Sequence, residues 1–439
     1  MNTENAQKHP PALYLLAATA AGERFAYYGM RALLMLYMTH KAVDQLAGMN
    51  FTEKASGLVY GLFNGLCYLF PFFGGILADR LLGERRSVTI GGLFIGAGLI
   101  ILSINNTMLP FVAGLTFIAV GNGFFKPTVV AMIGELYEQG DPRRDRAFTL
   151  YYQLFNGAVF AAPIICGSIA AIYGYRTGFI VAGIAVVLSL IAYWILAPSI
   201  LGTVGKEPKA KQRKNDKVEK LPLTKDEKDR ISVILVLLFF VTFFWAGFEQ
   251  AGSSLTTFTD KFIDRNIWGF EIQTPWFQSV NPFFVLVLGF PFTFLWLKLS
   301  KIGKNPSTPV KMGIGMVLLG IGFLFMLGAV AQLNSGAPKA SMIWLMLAYL
   351  FHTFGELMLS PIGLSMVTKL APVHMVSMFM GVWFLSTFLA HLIGGVIASE
   401  VGSFGPGAIF GGVAGFVIAL GFVVFFLSKR LLNMMHGRD

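Results

Sequence analysis

The chain has 439 residues, of which 55% are hydrophobic and only 13% are charged. A soluble protein of this length carries about a quarter charged residues, so the composition excludes an ordinary soluble enzyme and indicates a membrane protein. The formal net charge is +11. A nucleic-acid-binding protein would carry that charge on a basic soluble face, and so apolar a chain does not supply one. We therefore expect a lipid bilayer as a partner and no nucleic acid.

Continuous apolar runs recur along the whole chain. Runs of about 18 residues or more are long enough to cross a bilayer as helices. A membrane β-barrel would instead alternate apolar and polar residues in segments of about ten. We predict an all-α membrane protein with twelve transmembrane helices. The predicted spans are 12–39, 55–79, 87–105, 108–137, 147–172, 178–198, 231–259, 278–299, 309–333, 341–370, 375–399 and 406–430.

The short loops between these spans differ in their content of Lys and Arg. The basic residues are concentrated in alternate loops and in the C-terminal tail: Arg80, Arg85, Arg86, Arg143, Arg144, Arg146, Lys298, Lys301, Lys304, Lys429, Arg430 and Arg438. The other loops are poor in them, and Asn105 to Pro110 has no charge. Basic loops face the cytoplasm. We predict that both termini are cytoplasmic and that the protein lies in the plasma (inner) membrane.

One long segment, 199–230, is polar rather than apolar. Its basic residues are Lys206, Lys209, Lys211, Arg213, Lys214, Lys217, Lys220, Lys225, Lys228 and Arg230. We predict a cytoplasmic linker, flexible or partly helical, between two six-helix bundles at 1–198 and 231–439. The linker is either a plain tether or a regulatory segment. Thr224 precedes Glu227 by three residues, which predicts a capping box at the start of helix seven.

Two six-helix halves joined by a long cytoplasmic loop are typical of the major facilitator fold. The stretch "GGILADRLLGERR", Gly74 to Arg86, resembles the loop signature of that superfamily. Gly74 and Gly75 should let two helices approach closely. Asp79 and the arginines should form charge-assisted hydrogen bonds at a helix end. The corresponding loop of the second half, "LKLSKIGKNPS", has no Asp. We therefore expect these hydrogen bonds in the first half only.

Six charged residues lie deep inside predicted spans, well away from the span ends. They are Glu23, Arg24 and Arg31 in helix one, Lys126 in helix four, Glu249 in helix seven and Glu356 in helix ten. A charge at the bilayer centre costs roughly 2.5–3.5 kcal/mol on insertion scales, so these side chains should not face lipid. Three are basic and three are acidic, and they can neutralise one another. We predict that they share a polar cavity between the two halves, which opens to either side in turn.

The spacing in helix one favours an anionic ligand. Arg24 and Tyr27 are three residues apart, whereas Arg24 and Tyr28, like Tyr27 and Arg31, are four apart, so all can share one helix face. Arginine binds a carboxylate with two parallel hydrogen bonds. Alternatively, Arg24 only pairs with Glu249 and holds two helices together. Glu23 is either a proton carrier or a structural or gating partner of a basic residue.

Several stretches together resemble the proton-coupled oligopeptide transporter family, a branch of the major facilitators. "GERFAYYGMR" matches the family signature ExxERFxYYG from Glu23 to Gly29. "YYQLFNGAV" resembles FYxxINxG and keeps Tyr152 and Asn156, although Ala158 stands where Gly is expected. "FEQAGSSL", "QSVNPFF", "GELMLSPIGL" and "GVWFLSTFLA" resemble helices seven, eight, ten and eleven of the family. The matches occur in both halves and in the family's order.

The resemblance implies secondary active import of di- and tripeptides by proton symport through alternating access. By analogy with the family, the residues that hold the peptide carboxylate are Arg24 and Lys126, and those that hold its amino group are Glu356, Asn156 and Asn281. The side-chain pockets would be lined by Tyr27, Tyr28, Tyr68, Tyr152 and Trp383. Clamping both termini of a zwitterion gives broad selectivity whatever the side chains. We expect a functional monomer that needs no cofactor or metal.

One departure from the family concerns proton coupling. The first Glu of the helix-one signature falls at Ala20, which cannot titrate. The remaining candidates for proton coupling are Glu23, Glu249, Glu356 and Arg31. Burial favours the neutral form of a carboxylate and a nearby cation favours its ionised form. We favour Glu249 as carrier, alternating between neutral and paired with Arg24 or Lys126.

Two alternatives for the function therefore stay open. The first is the symporter of di- and tripeptides described above. The second is a major facilitator carrier of nitrate, an amino-acid conjugate or a drug, with altered proton coupling. Glu356 favours peptides, because a nitrate carrier gains nothing from a carboxylate that faces its anion. No catalytic set is evident, so we expect no enzyme activity.

His352 lies one turn before Glu356. It is either part of a proton relay or a histidine hydrogen-bonded within the bundle. His391 in helix eleven has the same two interpretations. Cys67 and Cys166 lie in predicted spans, and we interpret them as packing residues rather than as a disulfide.

Overall fold

The computed structural model describes residues 9–42, 46–138, 141, 143–209, 223–372 and 375–438. Twelve long α-helices lie within these residues. They are α1 Pro11–Thr39, α2 Glu53–Leu77, α3 Glu84–Leu102, α4 Met108–Glu135, α5 Arg143–Tyr173, α6 Tyr175–Ile200, α7 Lys225–Phe248, α8 Val280–Lys301, α9 Thr308–Asn334, α10 Met342–Leu370, α11 Val376–Ser399 and α12 Pro406–Met434. The predicted all-α fold is confirmed, and each predicted span falls on one of these helices.

Eleven of the helical segments in the described ranges are long and apolar enough to cross a membrane. The exception is α1, which is helical over 29 residues but carries Glu23, Arg24 and Arg31. α1 is nevertheless the most completely buried of these helices along its C-terminal half, where Ala32 to Met38 are all buried. A helix that carries charges inside a membrane protein belongs in the protein interior rather than at the lipid surface.

The long helices are interrupted at defined points. A π-helical turn, Ala78–Leu82, extends α2 and ends at Gly83, whose φ of 77° is one that residues with a Cβ rarely adopt. A 3₁₀ turn, Glu249–Gly252, follows α7 and leads into a short helix at Ser254–Phe262. Short helical turns also lie at Thr274–Ser279 and Val401–Phe404. The turn after α7 holds Glu249 at a break in the helix.

The described residues also include four strands of two residues each, which the sequence did not predict. β1 Ile263–Asp264 pairs in parallel with β4 Ala340–Ser341, and β2 Asn266–Ile267 pairs antiparallel with β3 Phe270–Glu271. Three of the four lie in the loop between α7 and α8, outside the apolar runs. Segments this short leave the all-α class unchanged.

The chain forms two compact units. The first comprises the described residues of Met1–Phe51 and Leu66–Asp216, and the second those of Thr52–Gly65 and Lys217–Asp439. The start of α2 therefore groups with the second unit. The division predicted from sequence, with bundles at 1–198 and 231–439 around a linker, stays a prediction.

Glycines allow close helix packing in the first unit. A Cβ at Gly74 of α2 would clash with the carbonyl oxygen of Gly123 in α4, which confirms the close approach predicted for Gly74. At Gly75 the nearest atom to a built Cβ is 3.8 Å away, so that position does not require glycine. A Cβ at Gly91 of α3 would lie 2.7 Å from the Gly121 carbonyl oxygen of α4. Small residues let membrane helices gain van der Waals contact where the hydrophobic effect contributes little.

The second unit has an apolar core of aliphatic, aromatic and Met side chains, to which α7, α9, α10 and α12 contribute. It includes the fully buried Phe244, Phe323, Phe410 and Met312. The start of α2 packs on α11 through glycines: a Cβ at Gly61 would lie 2.6 Å from Gly395 Cα. Lys54 forms an ion pair with Glu400 at 3.3 Å, and Lys261 pairs with Glu53.

The beginning of the predicted linker lies against the loop between α2 and α3. Arg85 donates hydrogen bonds from Nε to Val204 O and from Nη2 to Gly202 O, both at 2.7 Å. Lys209 Nζ lies 2.6 Å from Glu84 Oε1 and 2.9 Å from Glu135 Oε1. Burial lowers the pKa of Lys209, but the hydrogen bonds to these two carboxylates outweigh it and hold the pKa above its ordinary 10.5.

The charge-assisted bonds predicted for this loop therefore differ from those found. Arg85 binds backbone carbonyls after α6, and in the described part of the chain Asp79 forms no ion pair. The middle of the predicted linker, 210–222, which carries Lys211, Arg213, Lys214, Lys217 and Lys220, lies outside the described residues. The capping box is confirmed, because Thr224 and Glu227 exchange side-chain and backbone hydrogen bonds at the start of α7.

Candidate functional site

The charges of α1 begin a polar cluster in the first unit. Arg24 Nε lies 3.3 Å from Glu23 Oε2, and both side chains are largely buried. The guanidinium carbon of Arg24 lies 4.8 Å from the ring centroid of Phe155 in α5. Tyr151, one turn earlier in α5, lies beside the same guanidinium. Arg24 is thus held between a neighbouring carboxylate and an aromatic face of α5.

Lys126 of α4 adds a second cation to this cluster. Its Nζ lies 4.3 Å from the ring centroid of Tyr27 and 4.6 Å from that of Tyr68. That nitrogen is buried and has no hydrogen-bond partner among the described residues. The guanidinium carbon of Arg31 lies 5.6 Å from the ring centroid of Tyr28. We call the group of Glu23, Arg24, Arg31, Lys126, Tyr27, Tyr28 and Tyr68 the basic cluster.

Two predicted residues of α5 are less closely joined to the basic cluster. Tyr152 is 47% exposed, and its ring stacks on Phe155 with centroids 6.0 Å apart. Asn156 is buried, and its side-chain amide donates to Tyr152 O at 2.9 Å, within its own helix. The sequence did not single out Tyr151 and Phe155, which contact Arg24 directly. Their spacing of four residues was the signal, because it puts both rings on one face of α5.

The second unit holds the acidic side chains. Asn281 of α8 donates from Nδ2 to Glu356 Oε2 of α10 at 2.8 Å and to Thr353 Oγ1 at 3.0 Å. The Thr353 hydroxyl in turn donates to Tyr349 O at 2.7 Å. These bonds orient the carboxylate of Glu356, whose other oxygen accepts no hydrogen bond from the described residues. Thr353 is a member of this group that the sequence analysis did not identify.

Glu249 lies close enough to Glu356 for the two carboxylates to interact electrostatically. It occupies the 3₁₀ turn after α7, and its Oε2 lies 4.0 Å from His391 Nδ1 of α11. Gln250, next in the chain, donates to Gly394 O at 2.9 Å and so connects this turn to α11. We call Glu249, Glu356, Asn281, Thr353 and His391 the acidic cluster. Trp383 of α11 is partly buried and packs against the apolar core of this unit.

Other candidates from the sequence have a packing role. The ring of His352 lies 4.7 Å from that of Phe323 and fills the space beside Gly322. Cys67 and Cys166 are buried and free, as predicted. Within the described ranges, no group of three or more His, Cys, Asp or Glu side chains could hold a metal ion.

A sequence model of the POT family matches residues 85–218 and 206–405, which is more than half of the chain. The chain belongs to the POT family. The POT chain is 32% identical to the uncharacterized transporter YclF of Bacillus subtilis (strain 168), over 98% of this chain and 96% of the relative. It is 31% identical to the peptide transporter YePEPT of Yersinia enterocolitica, over 90% and 88% of the two chains.

The fold of this POT chain also resembles solved structures. The crystal structure of a peptide transporter POT in complex with sulfate has a TM-score of 0.91 and 30% sequence identity, over 98% of this chain and 96% of that chain. Family membership confirms the resemblance found in the sequence. It makes this POT protein a multi-pass membrane transporter rather than an enzyme.

Proposed function

We propose that this protein imports di- and tripeptides by proton symport, through alternating access of its two helical bundles. The observation that carries the proposal is the ammonium of Lys126, which is buried between two tyrosine rings with no hydrogen-bond partner among the described residues. A buried charge is costly unless an opposite charge accompanies it. In the basic cluster Glu23 is the one carboxylate beside three cations, and the carboxylate of a peptide, held jointly by Lys126 and Arg24, adds a second negative charge.

The amino group of the peptide binds to the acidic cluster. Asn281 fixes one oxygen of Glu356 at 2.8 Å, and the other oxygen accepts a hydrogen bond from the substrate ammonium. The proposal requires that the basic and acidic clusters face one cavity, as the sequence predicts. Tyr27, Tyr28, Tyr68, Tyr152 and Trp383 then line the pockets for peptide side chains. Asn156 is proposed to assist at the amino end.

Proton coupling is assigned to Glu249, with Glu23, Glu356 and Arg31 as further candidates. The neighbouring carboxylates of Glu249 and Glu356 repel each other when both are ionised, and a proton relieves that repulsion. His391, 4.0 Å from Glu249, is a second group through which a proton can pass. Glu23 pairs with Arg24, so its role is proposed to be gating or proton transfer.

A second candidate function is transport of a non-peptide substrate, such as nitrate, an amino-acid conjugate or a drug, with altered proton coupling. The observation that favours it is Ala20, which is buried in α1 where the family signature has a carboxylate. Substrates with a free amino group remain favoured, because the carboxylate of Glu356 can bind an ammonium group but not an anion.

The basic loops further support an orientation with both termini in the cytoplasm, in the plasma (inner) membrane. We propose that the transporting unit is the monomer, because each monomer contains both clusters.

The test is uptake of labelled dialanine into liposomes that contain the purified protein. An inward proton gradient should drive accumulation, and a protonophore should abolish it. The variant Glu356→Gln should weaken uptake of dialanine by about 10-fold or more and should affect N-acetylated dialanine less, since a charge-assisted hydrogen bond contributes about 1.5–3 kcal/mol. No accumulation by a folded protein would refute peptide symport. Accumulation of nitrate instead would favour the second candidate.

A further inference from the structure

The first unit contains a cavity whose lining includes no residue of the basic or the acidic cluster. It has a volume of about 330 Å³ and lies between the N-terminal turns of α3 and the C-terminal turns of α6. Its polar lining consists of Arg85, Arg86, Thr89, Tyr193 and Trp194, the rest of the lining is apolar, and none of the described residues that line it is acidic. Small-ligand sites start at about this volume.

The cavity arises from the packing of α3 on α6. One turn deeper, Gly92 of α3 is close to Leu190 of α6: a Cβ on the glycine would lie 3.0 Å from Leu190 Cδ1. Toward the ends of the two helices the side chains are larger, and Trp194 bridges the gap by donating from Nε1 to Thr89 Oγ1 at 3.1 Å. The indole is thereby held at the cavity wall rather than free to rotate.

Two groups in the cavity have no partner in the described part of the chain. The hydroxyl of Tyr193 is buried and makes no hydrogen bond there, and the whole residue is only 2% exposed. Arg86 is exposed and forms neither an ion pair nor a hydrogen bond with the described residues. A buried hydroxyl without a partner costs about 1–3 kcal/mol. An acceptor bound in the cavity would give both groups a partner.

The charges around the cavity favour an anion. Arg85 is fixed by the carbonyls of Val204 and Gly202, which leave its positive charge unneutralised. Glu84, the nearest acidic residue in sequence, is bound to Lys209 at 2.6 Å and does not line the cavity. Two guanidiniums and a phenol thus act on the cavity, and Glu84, the carboxylate that acts on Tyr193 from outside the lining, is itself bound to Lys209. Phosphate oxygens suit such a donor set, since arginine binds phosphate with parallel hydrogen bonds.

The position of the cavity favours the phosphate of a lipid headgroup over that of a soluble compound. The face of α6 that leads to it is apolar and exposed, with Leu188, Ile191 and Ile195 on the surface. In a membrane protein such a face contacts acyl chains. Trp194 lies six residues before the end of α6 at Ile200, which is about 9 Å along a helix. A residue so near the end of a membrane-spanning helix is expected at the level of the lipid headgroups, where Trp and Tyr are enriched.

We propose that this cavity binds the phosphate of an anionic phospholipid in the leaflet that borders the loop between α2 and α3. Arg86 and the Tyr193 hydroxyl contact the phosphate, and Arg85 contributes charge from its fixed position. The glycerol lies against Trp194, and the acyl chains follow the apolar face of α6. Basic pockets between membrane helices bind anionic headgroups in this manner.

Native mass spectrometry of the detergent-purified protein tests the proposal. The probe is phosphatidylglycerol, with phosphatidylcholine as the zwitterionic comparison. The parent protein should bind the first phosphatidylglycerol about fivefold more tightly than phosphatidylcholine, as expected for one added ion contact near the surface. Arg86→Gln should remove that preference. Tyr193→Phe, which keeps the ring, should weaken phosphatidylglycerol binding about two- to fivefold.

The matched control is Arg80→Gln, which removes an exposed arginine of the π-helical turn before α3 that does not line the cavity. It should leave the preference unchanged. Equal losses in Arg80→Gln and Arg86→Gln would overturn the proposal, because they would reflect general surface charge. Equal affinity for the two lipids would also overturn it. If soluble glycerol 3-phosphate competes with phosphatidylglycerol at equal concentration, the site binds a free phosphate compound and the lipid assignment is wrong.

Discussion

Replacing Lys126 with Gln removes one buried positive charge and keeps a polar side chain of similar shape. In the structure, Nζ is 4.3 and 4.6 Å from the ring centroids of Tyr27 and Tyr68 and has no hydrogen-bond partner in the described ranges. The variant tests whether this ammonium group binds the ligand or stabilises the folded protein. The two possibilities predict opposite changes in stability.

The contributions to stability can be compared. Each cation–π contact contributes about 0.5–2 kcal/mol, so the two together stabilise the folded state by about 1–4 kcal/mol. Burying an ammonium costs several kcal/mol, and the described residues supply no hydrogen bond to offset it. We therefore expect Lys126→Gln to be as stable as the parent protein, or more stable. The lost bond to a peptide carboxylate, about 1.5–3 kcal/mol, should weaken peptide binding about 10- to 150-fold.

The assay measures the KM for dialanine uptake in liposomes and the thermal unfolding of the same preparation. The control is Lys311→Gln, which removes a similar contact in the second unit, where Nζ lies 4.4 Å from the ring centroid of Trp296. The control should transport normally. The reasoning is refuted if Lys126→Gln lowers the melting temperature and loses uptake only in proportion to its folded fraction. An unchanged KM would refute it as well.

Three further predictions concern stability and use thermal unfolding as the measurement. Lys209→Gln leaves the buried Glu84 unpaired and should destabilise the protein by about 1–3 kcal/mol, whereas the exposed Lys206→Gln should not. Because the pKa of Lys209 is raised, its contribution is present below pH 10.5 and lost only as pH rises through the higher folded value, so the difference should stay constant between about pH 6 and about pH 9. Gly74→Ala should cost about 1–3 kcal/mol through its clash with α4, while Gly289→Ala, with no atom near its Cβ, should be neutral or stabilising; equal melting temperatures would contradict the packing argument. Thr224→Ala should cost about 1 kcal/mol by removing the capping box, and a cost that persists when Glu227 is also replaced by Ala would point to a role of Thr224 outside the box.

The membrane class and the long helices were predictable because they depend on local properties. A run of about 20 apolar residues has no stable alternative to a helix in lipid, whatever the rest of the chain does. The capping box at Thr224 and Glu227 was predictable for the same reason, since both partners lie within one helical turn. Charges within spans such as Lys126 were recognisable as candidates for function because they are costly in a membrane.

The partners of those charges depended on the tertiary structure. Lys126 lies between rings from α1 and α2, and Arg24 meets Phe155 of α5. These residues are distant in the sequence, and their helices offer several faces of similar hydrophobicity, so periodicity does not choose among them. The same holds for Lys209, which binds Glu84 and Glu135 from two helices.

The sequence by itself therefore determined that this is a membrane protein, that it is helical and which family it belongs to, because each follows from composition, local periodicity or a short motif. Only the tertiary structure decided which buried charges are neutralised, which glycines form helix contacts and where a cavity opens between α3 and α6. Those features arise from distances between side chains of different helices, and such distances are set by the packing of the whole unit.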